Sequence, residues 1–523
     1  MTAGRTLARA GLIVSATFLA SRLLGWVRLL VIANTFGAGA DLDSFFAAFR
    51  IPDLIFQLVA AGALGSALIP IVAGLLATEQ QQRAWRVVST VANLMLVALV
   101  VLSILLFVAA PAIVPVITPR FSPQQLERTV ELTRLMLLSP IFLALGSVAT
   151  SVLNAAGRFT VAAIAPVVYN LAIIGAALVL APRFGVEGLA IGVVVGSLGH
   201  LVVQATSVRR LGFRYASGFD LRDPEARTAL KLMAPRAIGL GAGQITFVVV
   251  TSLASTLGSG AITAYNVAFT LLQIPIGLIG VPLGTVVFPS LSREVALGNV
   301  QEYLSLLTRA LRLLIYTMVP IGALFAVLRR PVVTVLFPKF QPAAVDLTSN
   351  TLLLFLVGLA AHALIAVLAR AFYARQDTRT PVVAAILAVV INSTLAALLV
   401  GPLGLPGIAL AIAIAAWVEA IVLFALLERL LPGFGLTGLV RVAIEAGVGT
   451  VVATAVAFGV ITAIDNAIGG APGRLALIGE GIVVTAAFGV AYLAISLVLR
   501  IPELPSIVGV MTDLLRRGAP RRS

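Results

Sequence analysis

Along the chain, apolar runs of roughly 20 residues alternate with short polar connections from end to end. The runs fall at residues 10–36, 44–77, 87–110, 126–154, 160–181, 187–208, 232–256, 262–290, 303–328, 346–373, 380–400, 406–428, 438–464 and 475–500. Each is long enough to cross a hydrocarbon core about 30 Å thick as a helix, and no soluble domain fits between them. The pattern predicts an all-α polytopic membrane protein with about 14 transmembrane helices.

Composition agrees with the pattern. The 523 residues are 60% hydrophobic and 11% charged, with a mean hydropathy of +1.10, whereas soluble domains carry about 25% charge. A net charge of +15 raises the question of nucleic acid. The basic residues lie mainly in short connections, as topology determinants do, so no nucleic-acid partner is expected. Absence of cysteine excludes disulfides and thiolate metal sites. The basic start MTAGRTLARAG precedes an apolar run that carries two arginines and no clear cleavage site. It reads as a retained first span. Arg5, Arg9, Arg83, Arg86, Arg158, the run from Arg209 to Arg236, and the tail arginines share one side, which predicts that both termini are cytoplasmic. The basic connection Arg329 to Lys339 falls on the opposite side, against that rule.

The chain also repeats itself. LNAAGRFTVAAIAPVVYN followed by RFGVEGLAIG, from Leu153 to Gly192, has the layout of FYARQDTRTPVVAAILAV followed by PLGLPGIALA, from Phe372 to Ala411. An offset of 219 superposes Gly185 and Gly188 on Gly404 and Gly407. Six spans separate the copies, so the repeats run parallel, about an axis along the membrane normal. The expected division is a lobe of six helices at 1–220, a second at 221–435, and a helix pair with a basic tail at 436–523, with a central cavity between the lobes. In the connection Arg209 to Arg236, Pro224 is expected to open an amphipathic helix lying at the membrane surface.

Charges inside apolar runs mark candidate chemistry, since a central charge costs about 2.5–3.5 kcal/mol on insertion scales. Arg22 lies about twelve residues into its span, or roughly 18 Å from its start, too deep for snorkelling to bring its charge fully to an interface. Arg28 is nearer the end of the span, where snorkelling competes with a ligand role. On a straight helix these two residues point about 120° apart, so both reach one ligand only if the helix bends, which Gly25 permits. Arg50 follows Asp43 by seven residues on one helix face. The pair reads equally as a helix-start ion pair and as part of a site. Arginine suits phosphate or diphosphate, because its planar fork makes bidentate bonds to oxyanions. Tyr265, Asn266 and Gln273 add polarity to the eighth span, for ligand or for packing. No P-loop, GxSxG or HExxH pattern is present, so no enzymatic chemistry, metal or cofactor is expected.

SRLLGWVR and FGAGADLDSFFAAFRIPDL, then NAAGRFTVAAIAPVVYN, GVPLGTVVFPSLS and FYARQDTRTP, resemble the MurJ/MviN family, the lipid II flippases of bacterial cell-wall synthesis within the MOP exporter superfamily. The likeness covers most of the chain in order. It implies fourteen helices in two lobes around a V-shaped cavity, with a final helix pair forming a groove suited to an isoprenoid tail. The implied activity moves an undecaprenyl-diphosphate-linked disaccharide-pentapeptide from the cytoplasmic to the outer leaflet of the cytoplasmic membrane. The implied partners are that lipid-linked precursor, membrane lipids, and a coupling cation if sodium or protons reset the cycle. Arg22 and Arg28 match the family's cavity arginines, Asp43 matches its acidic residue at the start of the second helix, and Arg50 falls where Arg or Lys is frequent. Ser21 and Gln273 complete the expected substrate-binding set.

The chain departs from the family in places. Phe56 and Ala61 stand where the family has Arg and Glu, Leu29 follows Arg28 in place of Asp, and Phe269-Thr270 with Gln273 replaces Asp-Arg and Glu. Two arginines usually given to the diphosphate are therefore missing, which leaves open export of another undecaprenyl-linked oligosaccharide. A cation-coupled multidrug exporter of the same superfamily is a third reading, disfavoured by basic rather than acidic charges on the first helix.

Overall fold

A computed structural model of the chain describes residues 2–59, 63–220, 222–431, 433–434, 436–468 and 473–505. Among these residues there are helices and no strands. In chain order they are α1 (Thr2–Phe36), α2 (Ala40–Val59), α3 (Ala63–Ala77), α4 (Gln81–Ile117), α5 (Pro123–Met136), α6 (Ser139–Ala155), α7 (Phe159–Val179), α8 (Ala181–Arg210) and α9 (Pro224–Ser255). There follow α10 (Ala261–Pro275), a π-helical turn (Ile276–Gly280), α11 (Val281–Ala296), α12 (Val300–Leu336), α13 (Pro342–Leu356), α14 (Leu359–Ala374), α15 (Arg379–Leu403), α16 (Leu405–Leu430), α17 (Leu436–Ile468) and α18 (Arg474–Val498). Ten helical stretches among the described residues are long and apolar enough to cross a membrane, and α13 with α14, bent by 46°, makes an eleventh. The described apolar parts Ala67–Ala77 and Gly243–Ser255 are shorter. The outward face of α4 shows why hydrocarbon is required. Val101, Leu105 and Val108 recur at helical spacing and are exposed, a stripe that would be an aggregation liability in water.

Pro224 opens a helix, as the sequence predicts. Proline suits this first turn because the N–H it lacks would have no helical acceptor there, and the helix continues without a break to Ser255.

By internal contacts the chain groups into two compact units, Met1–Thr263 with Lys339–Gln341, and Ala264–Pro338 with Pro342–Ser523. This grouping reports packing, whereas the division at 1–220, 221–435 and 436–523 concerns repeat relationship. In the first unit α7 packs on α8 and α1, and α9 packs on α2, α3 and α4. The segment between α8 and α9 lies along α4. Asn93 donates to the Ala216 and Gly218 carbonyls at 2.9 and 3.1 Å, Tyr215 donates to Asn93 at 2.7 Å, and the Ala216 N–H donates to Ser89 at 3.1 Å. At its end Arg83 pairs with Asp223 at 3.1 Å and with Glu225, while Asp223 caps α9 through the N–H groups of Glu225 and Ala226. Burial pushes the Asp223 carboxyl up, but these donors outweigh it and hold it below the usual carboxylate value.

In the second unit α17 and α18 pack on α12 around Tyr316, Leu328, Val442, Ala453, Phe488 and Tyr492. Tyr492 donates to the Tyr316 carbonyl at 2.7 Å and Tyr316 donates to Ser496 at 3.0 Å. Arg312 closes the same seam on Glu503 at 2.6 Å. Beside it runs an apolar groove of about 510 Å³ between α12 and α18, lined by Leu328, Pro331, Val335, Leu477, Gly481 and Ile482.

The repeat appears as matched backbone geometry. Gly185 has φ 59° and ψ −143°, and Gly404 has φ 62° and ψ −142°, a conformation nearly confined to glycine. A Cβ on Gly188 would meet Leu180 at 2.8 Å, and one on Gly407 would meet Leu399 at 2.4 Å. These partners are again 219 apart. In each copy two helices turn on one glycine and touch backbone-to-backbone at the next.

Candidate anion-binding site

The charges singled out in the sequence lie on two neighbouring stretches of the first unit. α1 carries Ser21, Arg22 and Arg28, all half-buried, and its helical hydrogen bonding continues through Gly25. The Arg28 guanidinium lies over the Tyr169 ring of α7, 5.8 Å from its centroid. Such contacts are worth about 0.5–2 kcal/mol, more when desolvated. A guanidinium held against a ring in this way keeps N–H donors of the kind that bond oxyanions.

Arg50 on α2 reaches α9. Its Nε donates to Thr251 Oγ1 at 3.2 Å, and its guanidinium lies over Phe247 at 5.1 Å. Asp53 follows Arg50 by three residues on the same face of α2. The Asp53 carboxylate interacts with the charges of both Arg50 and Arg28 and takes a hydrogen bond from Gln57. Tyr169 in turn feels both Arg28 and Asp53. Side chains from α1, α2, α7 and α9 thus converge on a cationic cluster with one internal carboxylate. Asp53, Tyr169, Phe247 and Thr251 did not figure among the expected site residues. Asp53 was detectable, as an acidic residue one turn beyond Arg50 inside an apolar run. Nothing local marks the other three, which arrive from distant helices.

Asp43 stands elsewhere. Its carboxylate is buried, 1% exposed, and accepts from the Gly260 N–H at 2.6 Å, the Thr263 N–H at 2.8 Å and the Thr263 hydroxyl at 2.6 Å. Both oxygens are used in holding the start of α10, so it is that helix end, and not its own, whose orphan N–H groups it satisfies. At the same end of α2 Asp41 pairs with Arg128, 2.5 Å away, which also bonds Glu187 at 2.8 Å.

Gln273 lies in the second unit, half-buried on α10, two residues before Pro275 and the π-helical turn. Tyr265 stacks on Phe269 at 5.8 Å and packs against Phe355 at 5.6 Å, which makes it part of the packing. Thr270 donates to the Asn266 carbonyl of its own helix at 2.7 Å. Phe56 packs against the core of the first unit, and Ala61 lies outside the described residues. His200 is pressed against Gly146, where a Cβ would come within 2.4 Å of its Nδ1, a packing role. Among the described residues no group of three His, Asp or Glu is placed to hold a metal.

The sequence profile of the family described as lipid II flippase MurJ matches residues 32–479. The chain belongs to the MurJ family. Arg50, Asp53 and Gln273 fall inside the matched residues, whereas Ser21, Arg22 and Arg28 precede them. A lipid II flippase MurJ of Burkholderia cenocepacia is 32% identical over 426 residues, covering 80% of this chain and 83% of that protein. A probable lipid II flippase MurJ of Rhizobium meliloti is 32% identical over 425 residues, 79% of each. Among solved structures, lipid II flippase MurJ in an inward closed conformation aligns with a TM-score of 0.78 at 21% identity, over 93% of this chain and 98% of that one. An inward-facing multidrug MATE transporter of the MOP superfamily aligns at 0.66 and 18%, over 79% and 95%. The chain therefore shares the fold of both structures.

Proposed function

We propose that this protein is a lipid II flippase. It carries a peptidoglycan precursor, linked through diphosphate to an undecaprenyl chain, from the inner to the outer leaflet of the cytoplasmic membrane by alternating access. The family relationship supports the class of cargo, and the observation that carries the site is the convergence of Arg28 and Arg50 with Tyr169 and Thr251 inside apolar helices. Arginines are retained at such depth where they meet an anion, and a diphosphate is the anionic part of this cargo. In this reading Arg22 and Ser21 on α1 and Gln273 on α10 extend the substrate-binding set. Asp43 acts through the fold and makes no ligand contact. The groove between α12 and α18 receives the polyprenyl tail, because its lining is apolar and hydrocarbon gains nothing from polar walls.

The reading includes fourteen spans, both termini in the cytoplasm, and the lobes 1–220 and 221–435 with the helix pair and tail at 436–523. It includes no covalent step; a coupling cation would act only in resetting the cycle. The test is complementation of cells depleted of their lipid II flippase, with the precursor followed across the membrane. Restored translocation supports the reading, and failure of a well-expressed protein overturns it. A second reading, export of another undecaprenyl-linked glycan, draws on Phe56 and Thr270, which pack or bond within their helix where the family commonly has arginines. Translocation of such a glycan without complementation would select it.

A further inference from the structure

We propose that Asp53 tunes the charge the site accepts, weakening the binding of a diphosphate esterified at a single end more than that of one esterified at both ends. The inference rests on the diphosphate-lipid reading above. Asp53 sits one helical turn from Arg50 and interacts with the charges of both arginines that face it, Arg50 on its own helix and Arg28 on α1. Tyr169 on α7 and Thr251 on α9 complete the surroundings. The pair of arginines therefore presents one net positive charge rather than two.

A diphosphate between a lipid and a glycan carries one negative charge on each phosphate. With the glycan absent, the terminal phosphate is joined only through the anhydride and has a second ionisable oxygen, so like a phosphomonoester it carries about −1.5 to −2 at pH 7. Attraction to the arginines and repulsion from Asp53 both scale with ligand charge. The carboxylate therefore subtracts more from the binding of the singly esterified lipid, whose extra charge lies at the phosphate end. Gln57 holds the carboxylate through a hydrogen bond, which keeps it in place when a ligand enters. The carboxylate thereby lessens competition from what remains after a glycan has been transferred off its lipid.

The test measures binding of two probes, undecaprenyl diphosphate and its disaccharide-pentapeptide-linked form, to the purified full chain in lipid nanodiscs. Asp53→Asn should tighten both and tighten undecaprenyl diphosphate more, so that the preference, taken as the ratio of affinity for the glycan-linked form to that for undecaprenyl diphosphate, falls by about three-fold or more relative to the wild type. Asp53→Glu, which restores the charge, should keep the wild-type preference; Asp53→Ser provides a second neutral variant should Asp53→Asn fold poorly. An unchanged preference in the neutral variants, or its loss in Asp53→Glu as well, overturns the inference while the diphosphate reading stands. Failure of the wild-type chain to bind either lipid overturns that reading itself, and the inference with it.

Discussion

In the first unit polar side chains from α1, α2, α7 and α9 turn toward Arg28, Arg50 and Asp53, whereas in the second unit the wall between α12 and α18 is apolar along a groove of about 510 Å³. The two regions solve opposite solvation problems. A buried charge is costly until a partner arrives, so the cationic cluster is held by ring faces, a hydroxyl and one carboxylate that a ligand can outcompete. An apolar groove in a membrane loses little when empty, because lipid tails fill it. On the proposed function, head-group selectivity is assigned to the first unit and acceptance of a long hydrocarbon chain to the second.

The sharpest way to break this contrast is Arg28→Ala. It should lower affinity for diphosphate lipid at least about ten-fold, the size of one lost charge-assisted contact, with thermal stability little changed. Equilibrium binding in nanodiscs checks it, and wild-type affinity would remove Arg28 from the site. A smaller effect is expected from Gly481→Phe. A Cβ at Gly481 meets nothing within 4 Å, so the ring can extend into the groove without backbone strain. Binding of a long-chain polyprenyl diphosphate should fall by about five-fold, roughly 1 kcal/mol, while that of a short-chain analogue stays unchanged. Equal losses for both chain lengths would show that the groove does not read the tail.

Asp43→Ala should separate holding the fold from holding a ligand. It leaves the buried N–H groups of Gly260 and Thr263 without their acceptor, at a cost of about 1–3 kcal/mol. A lower unfolding temperature with near wild-type lipid affinity in the folded protein is the expected result, read by thermal unfolding and binding on one sample. The smallest effect concerns Asp223. Its folded-state value lies below the ordinary 3.8, so its contribution to stability is present above that value and is lost as pH falls through the folded one. The difference in unfolding temperature between the wild type and Asp223→Asn should be constant from about pH 8 to 5 and shrink below about pH 4. A difference independent of pH would mean that Arg83 and the cap do not act through the carboxylate charge.

Much of the fold was legible in the chain because hydrophobic periodicity and glycine are local signals. The alternation of apolar runs and short connections announced a helical membrane protein. The 219-residue offset of Gly185 and Gly188 on Gly404 and Gly407 announced backbone turns that the structure repeats almost angle for angle. Arg22, Arg28 and Arg50 stood out by cost alone. What sequence could not supply was partnership. Spacing placed Asp43 and Arg50 on one helix face, yet Asp43 is bound by the start of α10, more than 200 residues on. Arg50 meets Thr251 and Phe247, and Arg28 meets Tyr169, each across more than 100 residues of chain. Pro224 marks a helix start locally, and the length of α9, to Ser255, comes from the structure. Local pattern fixes which face of a helix is polar, but the choice among acceptors for a buried charge depends on which helices pack together, and only the tertiary structure decided that.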